Sequence, residues 1–254
     1  MTRSHDDLVQ DQFGPRAEAY VQSPVHAAGE DLDALEALAE HARPRRALDL
    51  GAGGGHVAYR LARHAGKVIA ADLSTDMMAA VAETARGRGL SNLETCVTPA
   101  EALPFANAAF DFLGCRFSAH HWRDFHAGLR EARRVLEPGA TAVFIDVVSP
   151  GPAALDTHLQ AVELLRDPSH IRDYSVTEWG EALTAAGFLL RAVQTRRLRM
   201  DYPSWVERMR TPEHHRAAIR SLQAGASREL AAYFEIEPDG SFTLDTAQIE
   251  VVAG

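Results

Sequence analysis

Asp49 is followed by a turn in which four of five residues, Gly51 and Gly53–Gly55, are glycine. A short apolar run (RALDL, 46–50) enters the turn and a helical pattern (HVAYRLARHA) leaves it. A strand, a glycine turn and a helix together bring backbone N–H groups and the positive end of a helix dipole to the carboxyl edge of a sheet. Dinucleotides use this geometry with the pattern G-x-G-x-x-G, but counted from Gly51 the third glycine falls on His56. The pattern present is Asp49-x-Gly51-x-Gly53-x-Gly55, with Ala52 inside it. A tight turn without a ligand is the plain alternative. Asp72 ends a second apolar run 21 residues after Gly51. A carboxylate there can accept hydrogen bonds from both hydroxyls of a ribose, or simply cap the next helix.

A second group of candidates lies further along. His120 and His121 follow a fourth apolar run in CRFSAHHWRDF. Imidazole takes up a proton near neutrality, although paired histidines at a helix start are often structural. His120, His121 and His126 lack the i, i+4 spacing of a helical zinc pair, and no carboxylate cluster suits Mg²⁺, so no metal is expected. Two cysteines, Cys96 and Cys115, are too few for a thiolate zinc site, an iron–sulfur cluster or a disulfide framework. In LLRDPSHIRDYS and SWVERMR, Arg166, His170, Arg172, Tyr174, Trp205 and Arg210 offer an aromatic–arginine wall for a planar or anionic ligand. An amphipathic cap that shows its arginines to water is the competing reading.

The elements that must hold these residues follow from periodicity. Helices are expected over 27–42, 56–65, after Ser74 and through Leu129–Leu136, with strands at 46–50, 67–73, 93–97, 109–115 and 141–148. Pro138-Gly139 reads as a turn before the fifth strand. Ser175 and Glu178 form a capping-box pattern, and FLLRAVQT (188–195) reads as a sixth strand. Alternation of this kind predicts an α/β doubly wound, mostly parallel sheet. Short helices over about 200–234 and a closing strand at the C-terminus complete the pattern, with no linker or repeat in sight.

The motifs and their order are similar to those of the class I S-adenosylmethionine (SAM)-dependent methyltransferases, in a bacterial small-molecule branch near the ubiquinone/menaquinone C-methyltransferases. D-x-G-x-G-x-G resembles the family's first motif, whose glycines let the backbone approach the amino-acid and ribose parts of SAM. TPAEALPFANAAFD (98–111) resembles the segment G-D-A-E-x-L-P-F-x-x-x-x-F-D, except that Pro99 stands where an aspartate usually holds the adenine amino group. LREARRVLEPGATAVFID (129–146) looks like the helix, turn and fifth strand that follow. The resemblance spans roughly residues 30–150. It implies a Rossmann-like sheet of seven strands, the last antiparallel. It further implies adenine contacts from Leu73, Met77, Ala100 and Glu101, and a backbone carbonyl of Arg116 for the SAM amino group. DQFGPRAEAYVQSP (11–24) resembles a lid whose Phe13 and Tyr20 fold over the cofactor. His120 and His121 would lie near the acceptor.

The chain is therefore expected to be one methyltransferase domain: a lid at 1–26, a SAM-binding core at 27–150, and a cap completing the sheet at 151–254. The expected reaction is methyl transfer to oxygen or carbon of a small, planar or partly apolar metabolite. The alternatives are a SAM-binding regulatory pocket without turnover and, less favoured by the glycine pattern, an NAD-dependent oxidoreductase. A net charge of −9 disfavours a nucleic-acid partner, and the arginine clusters at Arg43–Arg46 and Arg196–Arg199 read as solvated faces or turns. No secretory signal or 18-residue apolar span is present, so a cytoplasmic location is the default. A homodimer is left open.

Overall fold

The computed structural model describes residues 3–14 and 28–254. Tyr20 lies outside the described residues. Helix α1 (His5–Phe13) opens with a Ser4–Asp7 capping box, and α2 (Glu30–Ala42) buries Leu32, Leu35 and Ala39. Then β1 (Arg46–Leu50), α3 (His56–Leu61), β2 (Lys67–Asp72), α4 (Thr75–Gly87) and β3 (Leu93–Val97) alternate. The second half holds β4 (Phe110–Arg116), α5 (Phe125–Val135), β5 (Leu136–Val148), α6 (Ala153–Arg166), α7 (Val176–Ala185) and β6 (Phe188–Met200). Helices α8 (Tyr202–Arg208), α9 (Glu213–Ala224) and α10 (Arg228–Tyr233) precede β7 (Phe242–Ala253).

The strands form one sheet in the order β3-β2-β1-β4-β5-β7-β6. The first five are parallel to one another, and β7 runs antiparallel to both β5 and β6. Strand order reverses between β1 and β4, which opens a crevice at their carboxyl ends. Central strands are covered on both faces, which is why β1 and β4 read as continuous apolar runs. One face packs α2, α3 and α4 through Leu35, Val57 and Val81; the other packs α5 and α7 through Leu129, Phe144 and Trp179. Among the described residues no helix is long and apolar enough to cross a membrane.

Two strand boundaries differ most from the sequence expectation, and α3 ends at Leu61 rather than at 65. Strand β5 starts at Leu136 rather than Thr141, and the Pro138-Gly139 turn becomes an irregularity within it, with Gly139 at φ +82° and a register shift opposite Phe110–Phe112. Strand β6 runs on to Met200, so Arg196–Arg199 is not a turn. The arginines alternate with inward residues: Arg197 pairs with Asp245 at 3.0 Å and Arg199 with Glu237 at 2.6 Å, while Leu198 and Met200 face a cluster with Trp205 and Leu244. Ion pairing on one face lets a basic stretch satisfy the period of a strand. This extension carries α8 out over the crevice.

Candidate active site

The glycine turn is shaped by crowding on one side and openness on the other. Gly51, Gly53 and Gly55 all have left-handed backbones, with φ of +69°, +48° and +78°. A Cβ on Gly51 would overlap the Ser118 hydroxyl, and one on Gly55 would lie 2.9 Å from Val81. A Cβ on Gly53 would meet nothing within 4 Å. The three glycines thus do different work. Gly51 admits the β4 loop, Gly55 lets α3 settle against α4, and Gly53 keeps the crevice clear. Gly55 was expected to touch the cofactor; it faces α4 and does not line the cavity.

Most of the turn's donors are already engaged. Gly51 and Ala52 N–H donate to the Ala71 carbonyl at 2.8 and 3.0 Å, and Gly53 N–H donates to Asp72 Oδ2 at 2.8 Å. The Ala58 N–H of α3 donates to Asp49 Oδ2 at 2.8 Å. Asp49 is 1% exposed, and burial, with Asp72 nearby, pushes its carboxyl up to about 7 despite the Ala58 N–H bond. A carboxyl group therefore already occupies the helix N-terminus that a phosphate would require. Asp72 bridges Gly53 N–H and Ser74 N–H (2.9 Å to Oδ1), and its burial raises it above the ordinary carboxylate range. Each oxygen retains a lone pair for a hydroxyl group.

One cavity of about 600 Å³ runs from this turn under α8. Asp49, Gly51, Ala52, Gly53 and Asp72 line it at the turn. Leu73, Met77, Ala100 and Glu101 line it beyond β2 and β3, and Phe13 lines it from α1. Glu101 is only partly available, because its Oε1 accepts the Asp124 N–H at 3.1 Å and anchors the start of α5. Arg116 reaches the cavity at the end of β4 with its side chain drawn aside: Nε donates to Asp31 Oδ2 at 2.6 Å, fastening α2 to the crevice. The next residue, Phe117, holds φ +52°, a strained backbone for a bulky side chain.

His120 and His121 form a short 3-10 turn at the cavity wall and have opposite electrostatic fates. His120 Nδ1 lies 2.6 Å from Asp146 Oδ1, while Asp146 Oδ2 accepts the Ala119 N–H at 2.9 Å. Burial opposes a charge on His120, but Asp146 outweighs it and holds the imidazole up at about 9. Nε2 is the nitrogen left to the cavity. His121 is pushed down to about 4, first by burial and then by the charge on His120. Its Nδ1 faces the Ser169 carbonyl at 3.1 Å, so the neutral ring donates there. Helix α1 closes over this turn: His5 Nε2 donates to the His121 carbonyl at 2.8 Å, and the Phe13 and His121 rings sit edge-on at 5.0 Å.

Of the expected acceptor wall, Trp205 lines the cavity, buried and with Arg166 over its ring at 4.9 Å. Arg172, Tyr174 and Arg210 lie outside the cavity lining. Arg172 pairs with Glu178 at 3.1 Å and Asp156 at 3.2 Å; Tyr174 stacks on Phe125 at 3.9 Å; Arg210 continues the turn that ends α8. The Arg172 and Tyr174 side chains stabilise the loop before α7. Asp146, Asp31, Ser118, Asp167 and Asp173 carry the site's geometry and were not singled out from sequence. Asp146 had a legible signal, as the one carboxylate in the apolar run TAVFIDVV. Among the described residues no group of three His, Cys, Asp or Glu side chains is placed to hold a metal ion.

Residues 48–144 match the family model described as a methyltransferase domain. The uncharacterized protein YafE of Escherichia coli K12 is 43% identical over 196 residues, spanning 77% of this chain and 95% of that one. The uncharacterized methyltransferase YcgJ of Bacillus subtilis 168 is 34% identical over 217 residues, 85% of this chain and 86% of YcgJ. The chain belongs to the class I SAM-dependent methyltransferases. The crystal structure of YcgJ superposes with a TM-score of 0.84 at 30% identity, covering 87% of this chain and 97% of YcgJ. The family's ubiquinone/menaquinone C-methyltransferases are more distant: UbiE of Pectobacterium atrosepticum is 32% identical over 119 residues, 45% of this chain and 47% of UbiE. SAM is the cofactor expected from the family. The open face at Gly53 and the spare lone pairs of Asp72 fit it.

Proposed function

We propose that this methyltransferase transfers its methyl group to oxygen or carbon of a small, partly apolar metabolite bound under α8. The carrying observation is the single cavity that joins the Gly53–Asp72 crevice to the His120–Asp146 pair and Trp205. SAM, when bound, supplies a methyl on a sulfonium that is already electrophilic, so the chain has only to orient the nucleophile and exclude water. Asp72 would hold the ribose, Leu73, Met77 and Ala100 the adenine, and Gly51 and Gly53 would admit the amino-acid portion. With Pro99 at the usual aspartate position, adenine selection falls to the backbone near Ala100 and to the free oxygen of Glu101. The engaged turn donors and the Asp49 carboxyl at the start of α3 disfavour a pyrophosphate, and with it the dinucleotide reading.

His120 is the group suited to the acceptor. Held as an imidazolium by Asp146, it presents Nε2–H to the cavity and favours an acceptor that has lost its proton, a phenolate or enolate. The acceptor proton passes to solvent, since His120 already carries one. His121, neutral and anchored to Ser169, orients the turn. The test is release of S-adenosylhomocysteine from SAM with a panel of phenols and enolisable ketones, comparing wild type with His120→Ala. Turnover that falls at least tenfold in the variant supports the reading. Equal turnover removes His120 from the mechanism, and SAM binding without turnover on any acceptor favours a regulatory pocket.

A further inference from the structure

The acceptor end of the cavity holds carboxyl groups for which methyl transfer has no use. Asp167 and Asp173 are each 1% exposed, and Oδ2 of each lacks a hydrogen-bond partner. Both line the cavity, as does Glu163, 7% exposed. A buried carboxyl oxygen without a donor is costly; Asp167 offsets part of that cost through Oδ1, which accepts the Ser169 N–H at 2.9 Å and the Ser169 hydroxyl at 2.6 Å. The adjacent imidazoles do not relieve that cost. His121 Nε2 is 3.9 Å from Asp167 Oδ2, and His170 Nε2 is 3.9 Å from Asp173 Oδ2, both beyond hydrogen-bond length. His170 is also neutral, pushed down to about 2 by burial and by His120 and His121; its Nε2 is 2.9 Å from Gln160 Oε1.

Three nearby cations are already committed. His120 is matched by Asp146 at 2.6 Å, Arg166 by Glu163 at 3.3 Å, and Arg172 by Asp156 and Glu178. Among the described residues no arginine or lysine lies within ion-pair distance of Asp167 or Asp173. The same cavity is lined by an apolar cluster of Trp205, Leu198, Met200 and Leu244. A chamber with buried carboxyl oxygens left without donors and an apolar lining is complementary to an amphiphilic cation.

We propose that Asp173 and Asp167 form an acceptor-recognition subsite for a protonated amine carried on an apolar skeleton. This rests on reading the chamber as the acceptor site. An ammonium supplies both the charge and the donors the two carboxyls lack, whereas a hydroxyl group supplies a donor only. Burial and the neighbouring Glu163 raise Asp173 well above its ordinary value, favouring the protonated carboxyl. An ammonium beside it favours the ionised form instead.

The experiment is calorimetric titration of protein saturated with S-adenosylhomocysteine, using phenethylamine and its neutral counterpart 2-phenylethanol at pH 7.5 in phosphate and in Tris. The expected result is at least tenfold tighter binding of the amine, with release of about one proton read from the buffer dependence of the enthalpy. Asp173→Asn should abolish both while S-adenosylhomocysteine binding persists. Equal affinity for amine and alcohol, no amine binding by the loaded protein, or an unchanged preference in Asp173→Asn overturns the proposal. If the variant does not fold, the wild-type comparison and proton count decide alone. Failure to load S-adenosylhomocysteine at all would instead strike the cofactor site.

Discussion

Gly51 and Gly53 sit two residues apart in one turn, yet substitution by alanine should damage the protein in different ways. Both carry a left-handed backbone, so each alanine pays a conformational cost of about 1 kcal/mol. At Gly51 the new methyl also overlaps the Ser118 hydroxyl, which itself accepts from Trp122 Nε1 at 3.1 Å and cannot easily swing away. Overpacking of this sort adds roughly 1–3 kcal/mol. Gly51→Ala should therefore lose about 3 kcal/mol in all, which for a chain of this size lowers the melting temperature by roughly 6–12 °C. At Gly53 the methyl meets no protein atom within 4 Å, so the melting temperature should fall by only about 2–4 °C. That methyl instead projects where the cofactor is expected, and S-adenosylhomocysteine affinity should drop at least tenfold. Thermal melts with and without S-adenosylhomocysteine, paired with calorimetry, separate the two effects. If Gly53→Ala binds S-adenosylhomocysteine like wild type, or Gly51→Ala melts like wild type, the division of labour within the turn is wrong.

Asp72→Ala should remove most of the melting-temperature rise that S-adenosylhomocysteine gives wild type; a full rise in the variant would detach Asp72 from the ribose. Asp49, raised to about 7 by burial, should favour the cationic cofactor more once ionised, so SAM should bind tighter as pH rises from 6 to 8 and release a proton on binding; flat affinity across that range contradicts this. His120, raised to about 9 from 6.5, contributes about 3 kcal/mol of stability that is fully present below pH 6.5 and lost as pH rises through 9. Urea midpoints at pH 6.5 and 9.5 should accordingly diverge more for wild type than for Asp146→Asn, and parallel shifts in the two proteins would discount the pair.

The crevice was legible in the sequence because its parts are local. A glycine run between a strand and a helix, and an acid at the next strand end, fix their own positions through backbone geometry. The acceptor chamber was not legible, because its parts meet only through tertiary packing. Asp146 reaches His120 across adjacent strands, and Asp167 and Asp173 come in on the loop between α6 and α7. Arg172 and Tyr174 had the right chemistry for a binding wall but were captured by nearer partners, Glu178 and Phe125. Of the two readings of Arg196–Arg199, a solvated face or a turn, the face is the one found: Arg197 and Arg199 stay exposed on a strand, paired with Asp245 and Glu237.

A crystal grown with S-adenosylhomocysteine tests the central claim most directly. The homocysteine portion should lie along Gly51–Gly53, both ribose hydroxyls should bond to Asp72, and the sulfur should face the chamber that holds His120 and Asp173. A nucleoside bound elsewhere, or an Asp72 carboxylate still closed on Gly53 and Ser74 with no ribose against it, would contradict the account.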